Sequence, residues 1–251
     1  MFVVMVIGDN PDELMEQYKI GKEVEPYVIY KYKDAEKMRK NSIQVFEKML
    51  DSPKKFDLND YAIDYIKSNL KNIKNMTSFE YYKKLVDGYF INDEGDAIST
   101  DNPNGKWQTY KKAKNFYIPL KLYDGSETNE AIYKDIDWDS MHMQNTSSYE
   151  AVWEMIIEGR EPKNEIEQTI YDNMSTQHNY LSRFKNKDQY VIHNCAYWTY
   201  AILDKDGWHD MDDAKSDFDW ISNFFNDFIS KIGENEKITI FECSRGKSDN
   251  I

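Results

Sequence analysis

The chain has 251 residues, enough for one large domain or two small ones and for a sizeable buried core. Hydrophobic residues make up 40% and aromatics 15%, which argues against disorder despite 31% charged residues. The net charge of −13 excludes simple binding to a nucleic-acid phosphate backbone, which needs the opposite sign.

In chain order, Phe2–Ile7 is an apolar run that reads as a buried strand, ended by the turn signal GDNP. Asn10 is positioned as an N-cap with Pro11 at the first helical position, opening a short helix, PDELMEQY. PYVIYKYK has strand-type residues. Asp34 starts the helix DAEKMRKNSIQVFEKML, which Pro53 stops, and another amphipathic helix follows over Asn59–Leu70. TSFE at Thr77–Glu80 is a capping box, so residues 10–87 are expected to be helix-rich.

From residue 89 to 134 the texture is strand-rich. FINDEGDAI reads as strand, turn and strand, and FYIPLKLYDGSETNEAIYK as a hairpin about Asp124-Gly125, with Pro119 confining its first strand to an edge or bulge. In 148–243, helices are expected at Ser148–Ile157 and Asn164–Met174. A long aromatic strand follows at Tyr190–Leu203, closed by an Asp-Gly turn. Phe218, Ile221, Phe225, Phe228 and Ile232 then form one helical stripe, and KITIFEC is the last strand. The expected fold is a single α+β domain over 1–251. Its sheet is mainly antiparallel and covered by helices, with Phe2–Ile7, Tyr190–Leu203 and Ile238–Cys243 in it together.

The charge is uneven: residues 1–125 hold 20 basic and 20 acidic side chains, and 126–251 hold 12 and 25. An acidic half attracts basic surfaces or metal ions, or serves only as a solvated face. The opening MFVVMVIG is shorter than the roughly 20 apolar residues that a bilayer span needs. It also lacks the basic start and cleavage site of a signal peptide, so a cytoplasmic protein without a membrane partner is expected. Two cysteines, Cys195 and Cys243, are too few for a disulfide framework and read as reduced, buried thiols. His193 and Cys195, two apart on the expected strand, would share a face, where packing is the commoner role. No cofactor motif is present; in the RGKSD run near the C-terminus, Phe241 stands where a P-loop needs glycine.

The densest local design is STDNPNGKWQTY at Ser99–Tyr110. Asn-Pro-Asn-Gly is turn chemistry, and it sets Lys106, Trp107 and Tyr110 on a defined corner. Trp107 either plugs the end of the core or stacks on a ligand such as a small nucleotide beside Lys106, in a groove shared with Tyr110 or Trp138.

NPNGKW with Tyr110, DIDWD at Asp135–Asp139, YAILDKDGWHD at Tyr200–Asp210 and the terminal ITIFEC resemble landmarks of uncharacterised phage-encoded accessory proteins. In that family an asparagine-proline-asparagine-x-lysine-tryptophan segment is followed by Asp-Trp-Tyr and Gly-Gly-Arg-Trp; this chain has Gln108-Thr109-Tyr110 and Ala113-Lys114-Asn115-Phe116 instead. The resemblance implies a phage-type, non-structural role in the host cell and carries no activity.

GWHDMDD at Gly207–Asp213 is the strongest chemical candidate: His209, Asp210, Asp212 and Asp213 bear the imidazole and carboxylates that a divalent cation takes. The leading expectation is an accessory protein that inhibits or sequesters a host or defence component, a protein or a small nucleotide. The alternative is a metal-dependent hydrolase acting on a nucleotide through those four residues.

Overall fold

The structure, a computed structural model, describes residues 1–113, 119–174 and 178–245. In chain order its elements begin β1 (Phe2–Ile7), α1 (Pro11–Glu16), β2 (Glu23–Tyr30), α2 (Ala35–Asp51), α3 (Asp60–Asn75) and α4 (Ser78–Leu85). Short strands follow: β3 (Phe90–Ile91), β4 (Ala97–Asp101), β5 (Thr109–Lys112), β6 (Leu120–Lys121), β7 (Glu127–Thr128) and β8 (Glu130–Ile132). The remainder is α5 (Trp138–Met141), α6 (Thr146–Ile156), α7 (Glu165–Met174), α8 (His178–Leu181) and α9 (Lys187–Cys195), then β9 (Ala201–Asp204), β10 (Gly207–Asp210), α10 (Asp217–Asp227) and β11 (Lys237–Ser244). The fold is α+β, with helix-covered sheets. Contacts group the chain into two compact units, residues 1–21 with 104–251 and residues 22–103, where the sequence suggested one domain.

The first unit is built on a six-stranded sheet of order β10-β9-β1-β11-β5, with β8 also pairing with β11. β1 and β11 are its spine, antiparallel from Phe2 opposite Cys243 to Ile7 opposite Ile238. Side chains alternate across a strand, so each of these strands feeds two cores. Met5, Ile202, Ile238 and Ile240 enter one, packed under Trp220, Ile221 and Phe224 of α10. Val4, Val6, Leu203, Phe241 and Cys243 enter the other, closed by Met15 of α1 and by Trp107. Each such apolar side chain, fully buried, contributes about 1.5–3 kcal/mol; β11 also buries two polar side chains, Thr239 and Glu242, the latter paired with Lys111 at 3.0 Å.

β1 also pairs with β9, in parallel, with Val4 opposite Ala201. β9 and β10 form a hairpin closed at Asp204 and Gly207, whose φ of +117° suits glycine. The Asp124-Gly125 turn likewise closes the β6–β7 hairpin. Tyr190–Leu203 is not one strand. Lys187–Cys195 is helix α9, capped by Asn186 Oδ1 accepting the Gln189 N–H at 2.9 Å, and only Ala201–Asp204 joins the sheet. α9 packs Tyr190 against Val152, Trp153 and Ile156 of α6. Arg160 holds this helical layer by pairing with Glu154 and Glu167, and Lys187 joins Glu154 at 3.2 Å. Asn10 precedes α1 as expected, although its side chain makes no capping bond.

The second unit, residues 22–103, sets α2, α3 and α4 with a sheet of order β2-β4-β3. The Thr77–Glu80 capping box forms as the sequence indicates. Ala35, Tyr82, Val86 and Ala97 make its core, with Tyr30, Met38 and Leu85 against them. The Tyr82 hydroxyl is its polar hub: it accepts the Ala97 N–H at 3.0 Å and faces the carbonyl oxygens of Tyr30 at 2.9 Å and Gly95 at 3.0 Å. This unit carries 14 basic and 15 acidic side chains, so the acidic excess resides in the first unit, which has 18 and 30.

Candidate functional site

The NPNGKW turn delivers its lysine and tryptophan to the first unit's sheet. The Lys106 N–H donates to Tyr18 O at 2.7 Å, and the Ile20 N–H donates to Trp107 O at 2.7 Å. Trp107 is 1% exposed and lies with Val4, Val6 and Phe241, its ring edge-on to Tyr110 at 4.5 Å. A ring buried on this scale offers no face to a ligand, so Trp107 is the core plug. Tyr110 donates its hydroxyl to Asp12 at 2.9 Å, and burial first, then that carboxylate, holds its proton well above the usual phenol range. Trp138 is buried among Tyr133, Tyr197 and Phe225 in the other core, so it shares no groove with Trp107.

The proposed metal ligands diverge. Alternation along β10 sends His209 and Asp210 to opposite faces. His209 Nε2 stands 3.7 Å from Asp204, with its ring 5.5 Å from that of Phe228. Asp210 turns inward, 2% exposed, where Oδ2 accepts from Lys106 Nζ at 3.1 Å and from Trp208 Nε1 at 2.8 Å. Asp212 is exposed, at 3.1 Å from Arg245, and Asp213 is exposed next to it. Among the described residues, no group of three or more His, Cys, Asp or Glu could hold a metal ion. The hydrolase constellation is therefore not assembled.

Around Asp210 lies a charged corner. Arg245 stacks on Phe2 and Tyr200, its guanidinium 5.3 and 5.1 Å from their rings, and also bonds the Tyr200 hydroxyl. Burial, then the Asp212 hydrogen bond, pushes the Tyr200 phenol up to about 12. Of the RGKSD run only Arg245 is among the described residues.

Beside this corner, two cavities share the residues His193, Trp198 and Met211. The smaller, about 420 Å³, is completed by Phe2, Asn194, Thr199 and Tyr200, among others. The larger, about 600 Å³, lies between the loop Arg183–Lys185 and the start of α10 at Ser216–Phe218. His193 projects from α9, with Phe184 at 5.1 Å and Trp198 at 5.8 Å. Burial and the Arg183 cation hold its pKa below the usual imidazole range, while Asp217 opposes them. Cys195, two positions on, falls on a different face of the helix and is buried; burial raises its thiol pKa, and Cys243 is pushed up to about 12. This cleft was hidden in the sequence by the strand reading of 190–203. The signal that marks it is Asn186-Lys-Asp-Gln189, an N-cap followed three residues later by glutamine.

No family model, curated protein or solved structure matches this chain. Among the described residues, no helix is long and apolar enough to cross a membrane.

Proposed function

We propose that this chain acts by binding. On this reading it is a phage-type accessory protein in the host cytoplasm that sequesters a small component of the host or its defences in the cleft beside α9. The supporting observation is the cleft itself: cavities of about 420 and 600 Å³ sharing His193, Trp198 and Met211. Walls of aromatic side chains with a few fixed polar groups, at this size, are the usual make-up of a small-molecule site. The phage-type setting rests on the resemblance of NPNGKW, DIDWD and YAILDKDGWHD.

The test is native mass spectrometry of the purified chain after incubation with the low-mass fraction of a bacterial host lysate. An adduct that Met211→Trp abolishes by filling the cleft is the expected result. No adduct, or one that persists in Met211→Trp, would sink the reading.

A further inference from the structure

We infer that the α9 cleft selects a planar aromatic anion, its ring against Trp198, Phe184 and His193 and its charged group toward Arg183 and Lys185. This rests on the proposal that the cleft is a ligand site and adds the chemical class of the ligand. The first argument is electrostatic sign. The unit holding the cleft carries 18 basic and 30 acidic side chains, a surface that repels anions. The larger cavity reverses that balance, with Arg183 and Lys185 against Asp217 among its described lining residues. A third cavity of about 610 Å³ shows the ordinary state of this unit: Asp204, Asp206, Asp227 and Glu236 against Lys205 and Lys231.

The second argument is the fit of ring to wall. Phe184, His193 and Trp198 succeed one another at 5.1 and 5.8 Å, and Arg183 lies 5.5 Å from the Phe184 ring centroid. Aromatic faces next to a guanidinium accept a flat ring and its anionic substituent together. Asp217 is the carboxylate on this wall. It occupies the first position of α10, where the N-terminal N–H groups of the eleven-residue helix offset its charge. Burial and the Arg183 cation lower the His193 pKa, which favours the uncharged ring on this wall.

Two fluorescent probes with one aromatic framework test this: anionic 1-anilinonaphthalene-8-sulfonate and neutral N-phenyl-1-naphthylamine. The intact chain should bind the sulfonate more tightly than the amine, although the amine is the more apolar. The double variant Arg183→Gln/Lys185→Gln should weaken the sulfonate by about tenfold, as expected for lost charge-assisted contacts, and leave the amine unchanged. Both side chains are exposed, so the variant keeps its fold, which circular dichroism checks. Equal or tighter binding of the amine would overturn anion selection and leave the cleft as an apolar ligand site. Binding of neither probe, or binding indifferent to Met211→Trp, would overturn both the selection and the site.

Discussion

Lys106 and Asp210 are 104 positions apart in the chain, and the lysine Nζ lies 3.1 Å from the aspartate Oδ2. The carboxylate is almost wholly buried and the lysine half-buried, so the pair joins a turn to a sheet edge across the first unit. Asp210 Oδ2 also accepts the Trp208 indole N–H, while Oδ1 has no hydrogen-bond partner among the described residues. Lys106→Met therefore strands a buried charge. The expected loss is ~1–3 kcal/mol, the cost of leaving such a group unsatisfied. In a double-mutant cycle with Asp210→Asn, the two losses should be less than additive. Additive losses in urea denaturation would show that the contact contributes nothing.

Trp107→Ala should cost ~3–5 kcal/mol through the cavity it leaves. Its indole N–H has no hydrogen-bond partner among the described residues, so the loss comes from packing alone. Trp107→Phe should recover most of it. A Trp107→Ala protein with an unchanged melting temperature would refute the core role.

Acid should weaken the fold below about pH 6.5, the unperturbed imidazole value. His142 Nδ1 accepts the Tyr197 N–H at 3.2 Å, and its ring stacks on Phe225 at 4.1 Å. Burial lowers its pKa in the folded state, as it does for His193. The unfolded chain then takes up protons first. The contribution is whole above the unfolded value and is lost as pH falls toward the folded one. Urea midpoints from pH 8 to 5 should drop through that window, and His142→Asn, which keeps an acceptor, should flatten part of the drop. A midpoint that rises on acidification would contradict the sign.

What the sequence disclosed were features set by neighbours along the chain. The apolar runs of β1 and β11, the Thr77–Glu80 box and the two Asp-Gly-type turns all appear where local chemistry puts them. α9 was misread because Tyr190, Val191 and Ile192 have strand propensity and neighbouring helices bury much of it, which erases the helical period. In α10 the expected stripe was rotated: Trp220 and Phe224 are the buried ring positions, and Phe218 and Phe225 flank them. The site was less legible than the fold. Lys106 facing Asp210 is a product of tertiary packing, and no spacing in the chain announces it. The parallel pairing of β1 with β9 was equally invisible, since both strands are plain apolar runs.

In the second unit, Tyr82→Phe should cost ~1–3 kcal/mol, because it leaves the buried Ala97 N–H without its acceptor. Hydrogen exchange at the Ala97 amide gives a local reading. Exchange there should accelerate in the variant, and an unchanged rate would mean that the hydroxyl is not a hub.

The backbone bonds from Lys106 to Tyr18 and from Ile20 to Trp107 pin together the two points at which the chain leaves and re-enters the first unit. Residues 22–103 are thus a cassette hung on a closed clasp. The entropy of closing such an excursion grows only with the logarithm of its length, about 0.6 kcal/mol per doubling. Descent can therefore lengthen, trim or exchange the cassette while the strand register beneath the clasp stays put. Two such proteins could share their sheet and cleft and differ in everything between Gly21 and Asn104.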